Sequence, residues 1–329
     1  MKTIIIHHLQ SFMFRTEVEI SPAKKKISYE DQLITMGSCF SDNIGQRLSN
    51  AFFSVDINPF GVLFNPISIK NSLEILVNNR LFSESDLFRH GSLWSSFSHS
   101  TLFASVDKAE CLNNINNRIE AAAIHLRQAN FLLITFGTAW VYELITSGEV
   151  VSNCHKLPAN NFMRKKLTID KIITVYSNML DNLHQLNPHL QVIFTVSPIR
   201  HWKDGAHENN LSKSILLMAI ELIKEQYDFI DYFPAYEIQM DELRDYRFYA
   251  ADMLHPSDTA IDYIWEKFSL AYFSAETLQT KTELEQLRTT MNHRPIHQAS
   301  QEYKLFVQSL EKKKKELMQK YPFLCERLS

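Results

Sequence analysis

The sequence has little glycine and no excess of basic charge, and each shortage argues against a class of protein. Only 7 of the 329 residues are glycine, and neither G-x-G-x-x-G nor G-x-x-x-x-G-K occurs. These glycine-rich loops hold dinucleotides and nucleoside triphosphates, so the sequence argues against both kinds of fold. The formal net charge of −3 offers no basic surplus for nucleic acid or for an anionic membrane.

Cysteines are few and long apolar runs are lacking. The four cysteines, Cys39, Cys111, Cys154 and Cys325, show no metal-ligand spacing, and we interpret them as free thiols of a reducing compartment. No stretch approaches the ~20 apolar residues of a membrane-spanning helix, and the N-terminus lacks the features of a signal peptide. We therefore expect a cytoplasmic protein without a membrane partner. Met13 is a candidate natural start, with residues 1–12 as an extension.

Short apolar runs that alternate with helical patterns indicate the fold class. The runs cover Gln32–Met36, Phe131–Phe136 and Gln191–Val196, and Phe229-Ile230 is a candidate for a short fourth strand. Helical periodicity follows, most clearly over residues 167–186. Continuous apolar strands of this kind are typical of a parallel sheet that helices cover on both faces.

The loops after the three long strands begin at Gly37, Gly137 and Ser197. The carboxyl ends of parallel strands lie at one edge of the sheet, where ligands bind, so we expect these loops to form one site. A helix is predicted after the first loop, with Ser41 or Asp42 as its N-cap.

Ser38, Asp252 and His255 are the candidate catalytic residues. A serine attacks a carbonyl at neutral pH only with a neighbouring base, and that base needs a carboxylate to hold its tautomer. The Ser38 hydroxyl and backbone N–H are expected near the positive end of a helix. Asp252 and His255 lie three residues apart, ahead of a helix predicted to be capped near Ser257. Taken alone, each motif is a weak signal: a capping serine is the better interpretation of the first, and a capping or packing turn is the more common interpretation of the second.

The character of the chain changes after Leu278. Two polar helical stretches with few bulky residues follow, one of them containing the lysine run 312–315. We predict an α/β domain over residues 13–275 and a C-terminal helical appendage over residues 276–329, with the lysines on a solvated helix face.

Gly37-Ser38-Cys39-Phe40-Ser41 closely resembles the motif that gives the GSCFA family its name, although the fifth residue there is usually alanine. The resemblance covers roughly residues 13–273. It places the chain beside the SGNH/GDSL hydrolases, which implies a flavodoxin-like three-layer αβα fold with a central parallel sheet. Four further blocks resemble the family: Asn58–Gly61, Asn153–Lys156, Ser197–His201 with Asp204-Gly205, and Asp241–Tyr246.

This resemblance implies roles for individual residues. Ser38 matches the nucleophile, His255 the base and Asp252 its orienting acid, while Gly61 matches a glycine whose N–H serves the oxyanion hole. The usual asparagine donor is missing, because Ala139 stands in its place. Loss of one such donor costs about 100- to 1000-fold in rate. The candidates to replace it are the Thr138 hydroxyl, Asn153, His155 and His201.

Arg200 follows the third long strand and has two interpretations. It would either clamp a carboxylate or phosphate of the substrate or pair internally with an acid near Asp241 and Asp245, and we favour the internal pair. Stacking on a sugar is a further expectation for several aromatic side chains, although tryptophans also pack cores. These side chains are Trp94, His99, Trp140 and Trp202.

The predicted activity is that of an SGNH-type serine hydrolase, which cleaves an ester through an acyl-Ser38 intermediate. The resemblance suggests an acylated carbohydrate as substrate. An O-acyltransferase with the same triad is one alternative. A catalytically weak or inactive ligand-binding module is another, because of Ala139. A cysteine nucleophile is disfavoured, since Cys39 is expected to point away from a cleft that Ser38 faces. No cofactor and no metal site are predicted, because the histidines lack the spacing of metal ligands.

Overall fold

The computed structural model describes residues 16–292 and 300–328 of the chain. The candidate start at Met13 lies outside these described residues. The strands are β1 (Gln32–Gly37), β2 (Ser54–Ile57), β3 (Phe88–His90), β4 (Leu93–Ser95), β5 (Phe131–Phe136), β6 (Trp140–Leu144), β7 (Val150–Val151), β8 (Phe162–Lys166), β9 (Gln191–Val196) and β10 (Ile230–Tyr232). The α-helices are α1 (Cys39–Asn50), α2 (Pro66–Val77), α3 (Lys108–Gln128), α4 (Ile169–Leu186), α5 (Gly205–Lys224), α6 (Ala235–Glu237), α7 (Asp258–Tyr272), α8 (Ala275–Met291), α9 (Gln301–Lys320) and α10 (Leu324–Arg327).

Five strands form a parallel central sheet in the order β10-β9-β5-β1-β2. Numbered along the chain, this is the flavodoxin-like order 2-1-3-4-5. The predicted fold class is confirmed, and the three long apolar runs are its central strands. Strand β2 was not predicted, because it is a short, half-buried edge strand that carries Asp56.

Alternate residues of each central strand face opposite sides of the sheet, and each side has its own apolar core. On β1, Ile34 and Met36 join the cluster formed with α2, α3, α4 and α5. Leu33 joins the second cluster, which α1 and α7 cover. The chain therefore forms the predicted three layers, with helices on both faces of the sheet.

The C-terminal helices extend the second core. Leu284 and Leu287 of α8, Leu317 of α9 and Leu324 of α10 are buried and belong to the same cluster as α1 and α7. This agrees with a helical appendage that lacks a core of its own. The boundary between residues 275 and 276 stays a prediction; α8 begins at Ala275. Across residues 16–292 and 300–328, none of the helices combines the length and the apolar character needed to cross a bilayer.

A small antiparallel sheet is inserted between β5 and α4. Its strands have the order β7-β6-β8, and it brings Trp140, Tyr142 and Arg164 to the edge where β5 ends. These short strands were not predicted, since β8 is largely polar and β7 has only two residues.

Candidate active site

A cleft of about 520 Å³ lies at the carboxyl edge of the central sheet. Its lining includes Ser38, Thr138 and Ser197, which follow the ends of β1, β5 and β9. The strand order reverses between β1 and β5, and crevices at such a switch point bind ligands in open α/β sheets. The three loops therefore converge as expected. Leu254 and His255, from the segment before α7, line the same cleft.

Backbone conformation at Gly37 creates the turn that presents Ser38. Gly37 has φ +142°, and a Cβ atom there would lie 2.2 Å from the carbonyl oxygen of Thr135 on β5. Only glycine allows this close approach of the two strands. The Asn58 side chain secures the turn, since its Oδ1 accepts the Gly37 N–H at 2.8 Å and its Nδ2 donates to Asp42.

Ser38 itself is the N-cap of α1, so the predicted cap at Ser41 or Asp42 was wrong. Its Oγ accepts the backbone N–H of Phe40 at 3.3 Å, and the residue is almost fully buried at the cleft wall. The Ser38 N–H donates to the Thr135 carbonyl at 3.3 Å. The expectation that this N–H stabilises an oxyanion is therefore corrected. Its hydrogen bond to the Thr135 carbonyl extends the pairing of β1 with β5 and occupies the donor.

Asp252 and His255 form a tight hydrogen-bonded turn. His255 Nδ1 lies 2.5 Å from Asp252 Oδ2, while Asp252 Oδ1 accepts the backbone N–H groups of Leu254 and His255 at 2.9 and 3.0 Å. The two backbone donors and then the imidazole lower the pKa of Asp252 to about 2. An ionised carboxylate accepts, so the bond assigns the proton to Nδ1 and leaves Nε2 as the acceptor nitrogen of the ring.

The cleft brings Ser38 and His255 together from residues that lie more than 200 positions apart in the chain. Within the described residues no direct hydrogen bond joins the two side chains. Catalytic hydrogen bonds are often long before substrate binds, so the lack of a direct bond is compatible with the predicted pair. The catalytic roles of Ser38, Asp252 and His255 stay predictions.

Gly61 does not offer its N–H to the cleft. This N–H donates to the Asn58 carbonyl at 2.7 Å in a tight turn, and a Cβ atom on Gly61 would lie 2.0 Å from the Ser100 hydroxyl oxygen. The implied oxyanion role is therefore corrected. Thr138 does line the cleft, but its Oγ1 lies 3.1 Å from the Ser212 hydroxyl and also accepts the Trp140 N–H.

Asn153 lines the cleft, whereas His155 does not. The His155 imidazole is buried away from the cleft, where Nε2 lies 2.8 Å from the Ser96 carbonyl and the ring packs edge-on against Phe88. Its predicted site role is corrected on this ground. Asn153 lines the cleft, and its Oδ1 accepts the His155 N–H at 2.8 Å. The carboxamide of Asn153 thus keeps its N–H₂ group as a donor.

Arg200 and His201 both line the cleft. Arg200 makes no ion pair with any described residue, and its predicted partners Asp241 and Asp245 pair with other arginines. The favoured internal salt bridge was therefore wrong, because nearer arginines occupy both acids. Burial, followed by the nearby Lys213 charge, lowers the pKa of His201 to about 4, so this imidazole is neutral at pH 7.

Of the four aromatic side chains expected to stack on a sugar, two line the cleft and two do not. Trp140 and Trp202 line the cleft, whereas Trp94 and His99 do not. His99 is buried and stacks on Phe60 with ring centroids 4.7 Å apart. The two tryptophans of the cleft come from the inserted sheet and from the loop after β9.

Comparison with known proteins gives the family. The model described as the GSCFA family matches residues 32–268, and the model of the GSCFA domain protein C-terminal domain matches residues 284–327. The chain belongs to the GSCFA family. No curated protein matches it.

Several solved structures are similar over most of the chain at low identity. A family 3 carbohydrate esterase of Clostridium thermocellum is 11% identical, covers 78% of this chain and 98% of its own, and has a TM-score of 0.31. A family 3 carbohydrate esterase of Talaromyces cellulolyticus is 10% identical, covers 77% and 99%, and has a TM-score of 0.35. An acetyl xylan esterase of Butyrivibrio proteoclasticus is 12% identical, covers 78% and 66%, and has a TM-score of 0.33.

Two cysteines of the GSCFA chain also line the cleft. Cys39, the first residue of α1, was expected to point away from the cleft, but it contributes to the lining together with Cys154. Burial raises the pKa of both thiols, and the charge of Asp42 adds to the effect at Cys39. A thiolate is the nucleophilic form, so these shifts disfavour a cysteine nucleophile.

Lys213 of α5 lies behind the cleft and was not predicted from the sequence as part of the site. It is buried, and its Nζ donates to the carbonyls of Gly137 and Ser197 at 2.7 Å each. It therefore joins the loops that follow β5 and β9. Burial, and then the charge of Arg200, lowers the pKa of Lys213 to about 7. Its signal in the sequence was a lysine on the apolar face of an amphipathic helix.

The lowered pKa of Lys213 predicts that the stability of the folded protein depends on pH. The unfolded chain holds the Lys213 proton up to about pH 10.5, whereas the folded protein releases it near pH 7. Between these values the unfolded state binds more protons, so the free energy of unfolding rises with pH, by at most about 1.4 kcal/mol per unit. We expect urea unfolding from pH 6 to 10 to show this rise relative to Lys213→Met, which cannot titrate. A constant difference between the two proteins would contradict it.

Proposed function

We propose that this GSCFA protein is a serine esterase of the SGNH type that forms an acyl-Ser38 intermediate. One observation carries the proposal: the Ser38 hydroxyl and the Asp252-bonded imidazole of His255 line one cleft at the switch point of the sheet. A serine, a base and an orienting carboxylate are the groups that acyl transfer needs.

The proposed reaction has two steps. His255 Nε2 takes the proton of Ser38 Oγ as this oxygen bonds to the ester carbonyl, and Asp252 stabilises the imidazolium. The tetrahedral intermediate then breaks its bond to the alcohol oxygen, which receives the proton from His255. Water repeats the sequence on the acyl-serine: His255 takes a proton of the water, the ester bond to Ser38 breaks, and Ser38 Oγ receives the proton.

The oxyanion requires donors other than the amides of Ser38 and Gly61. The N-terminus of α1 carries a partial positive charge, and the Cys39 amide is its first N–H after Ser38. The Asn153 carboxamide lies on the same cleft lining. We assign the oxyanion to these two groups, in place of the amides of Ser38 and Gly61, which carbonyl oxygens occupy.

Aromatic rings in the cleft support a carbohydrate ester as substrate. Trp140, Tyr142 and Trp202 contribute to the lining, and aromatic side chains offer an apolar surface with a polar edge. The choice between water and a second alcohol as acyl acceptor separates the esterase from an O-acyltransferase. Product analysis with and without added sugar alcohols distinguishes the two.

A binding module without catalysis is the second candidate. It is favoured by the hydrogen bonds that occupy two of the implied oxyanion amides, Ser38 N–H to Thr135 and Gly61 N–H to Asn58. In that case the cleft would bind an ester or sugar and leave it unchanged.

Reaction with a fluorophosphonate probe separates the two candidates. The esterase proposal predicts that the intact protein gains one phosphonyl adduct, at Ser38, because only an activated serine attacks phosphorus under mild conditions. Peptide mapping by mass spectrometry locates the adduct. Ser38→Ala should lose it, whereas Ser214→Ala, which removes an exposed hydroxyl on α5, should keep it. Absence of the adduct from folded wild-type protein would decide for the binding module.

A further inference from the structure

The cleft carries more positive than negative charge. Among the described residues, its lining contains the cations Arg164, Arg200 and Lys203 but a single carboxylate, Asp204, in a chain whose formal net charge is −3. Arg164 and Asp204 pair with each other at 2.5 Å. The charges of Arg200 and Lys203 therefore remain without a counter-charge.

Within the described residues, these two cations donate hydrogen bonds only to neutral groups. Arg200 Nη2 donates to the Asn210 carboxamide oxygen at 3.3 Å, and Lys203 Nζ donates to the Tyr142 hydroxyl at 3.1 Å. The other acid close to the cleft, Asp252, is already engaged by His255 and by two backbone N–H groups. Within the described residues, no acid lies at ion-pair distance from Arg200, and Asp241 and Asp245 pair with other arginines.

Buried donors in the same walls have no acceptor. Trp140 Nε1 and Arg200 Nε are both buried and lack a hydrogen-bond partner within the part of the chain that the structure describes. Buried polar groups in native proteins are nearly always paired, and neither of these N–H groups can accept. The group that completes them must therefore be an acceptor, which an anionic oxygen provides best.

Arg200 also stands where the cleft continues into a second groove of about 490 Å³. Arg200, Trp202 and Leu254 line both spaces, and Tyr246 and Tyr249 add aromatic surface to the second. The Arg200 guanidinium lies 5.2 Å from the Trp202 ring centroid. A ligand longer than one sugar ring would pass this arginine on its way from the Ser38 cleft into the groove.

We propose that Arg200 and Lys203 form a subsite for a carboxylate, sulfate or phosphate group on the carbohydrate part of the substrate. The protein then prefers an ester of an acidic sugar to the matching neutral one. This inference rests on the proposed esterase function for its kinetic test but has a binding test that does not need catalysis. An anion on the acyl chain is the competing source of the same charge.

The kinetic test compares matched esters. We expect wild-type kcat/KM to be at least about tenfold higher for O-acetylated methyl glucuronide than for O-acetylated methyl glucoside, with the preference falling as salt is added. Arg200→Gln should remove most of this ratio, and Arg200→Lys should restore part of it. Arg127→Gln, which removes an exposed arginine at the end of α3, is the charge-matched control and should keep the ratio.

A second pair of esters tests the position of the anion. p-Nitrophenyl hydrogen glutarate and p-nitrophenyl pentanoate share a leaving group and differ by a carboxylate on the acyl chain. A preference confined to the glutarate would overturn the assignment to the carbohydrate part. An equal wild-type rate for the two sugar esters, or a ratio that survives Arg200→Gln, would overturn the subsite while leaving the esterase intact.

Binding to Ser38→Ala protein separates this inference from the proposed function. Calorimetry with methyl glucuronide and methyl glucoside should show tighter binding of the acid, by about tenfold, and loss of the difference in Ser38→Ala/Arg200→Gln. This result would support the subsite even if no ester were cleaved. Equal affinity for both sugars would reject it.

Discussion

Replacement of His255 by alanine is expected to lower kcat for ester cleavage at least a hundredfold, because general acid–base catalysis contributes roughly 100- to 10000-fold. The imidazole is held by the 2.5 Å bond to Asp252 and lines the Ser38 cleft. Without it, the other imidazole of the cleft lining is that of His201, whose Nε2 has no hydrogen-bond partner and which forms no ion pair with a carboxylate among the described residues. Steady-state hydrolysis of p-nitrophenyl acetate, corrected for the spontaneous reaction, measures the change.

Stability should change little in this variant. The His255 side chain is 48% exposed, so its removal leaves no buried cavity. The matched control is His207→Ala, which removes an exposed imidazole near the start of α5 and should keep wild-type turnover and melting temperature. Unchanged turnover in folded His255→Ala protein would reject the assigned base and, with it, the proposed mechanism.

The sequence predicted the central layer of the fold well, because a parallel sheet leaves a strong signal. Strands β5 and β9 have the predicted bounds, and β1 extends one residue further, to Gly37. Buried on both faces, they read as continuous apolar runs. The edge strand β2 and the inserted strands β6 to β8 are half exposed and short, so their composition did not distinguish them from loops.

The sequence predicted which loops meet at the cleft, but not the hydrogen bonds that their side chains and amides form. Position after a strand sufficed to bring Ser38, Thr138 and Arg200 to one cleft, since topology decides where strands end. The hydrogen-bond partners of individual amides and the ion-pair partners of individual side chains depend on local geometry. The Gly61 N–H closes a turn on Asn58, and the acids expected to pair with Arg200 lie nearer to other arginines. One sequence does not contain those distances.

The Asn58 side chain has a structural role that its position in a family motif did not reveal. In the sequence it belongs only to a block that resembles the family, yet in the structure its side chain accepts from Gly37 and donates to Asp42, and its φ is +41°. Asparagine tolerates this left-handed backbone better than most residues. The motif around Ser38 and the motif around Asn58 therefore form one structural unit, in which hydrogen bonds of the Asn58 side chain fix the turn that carries Ser38.

Gly37→Ala is expected to cause the largest loss of stability among these variants, about 3 kcal/mol or more. The φ of +142° costs about 1–3 kcal/mol for a residue with a side chain. The new Cβ would also lie 2.2 Å from the Thr135 carbonyl oxygen, which is backbone and cannot rotate away. Relief requires β1 and β5 to separate, and overpacking of this kind costs about 1–3 kcal/mol more.

Gly91→Ala separates the cost of the positive φ from the cost of the close contact with β5. Gly91 lies in the turn between β3 and β4 at φ +60°, and a Cβ there meets nothing within 4 Å. It should lose only about 1–2 kcal/mol, the cost of left-handed backbone for an L-residue. Urea unfolding of both variants measures the difference. Equal losses would mean that the approach of Gly37 to β5 is not what restricts this position, and that the turn presenting Ser38 tolerates a side chain.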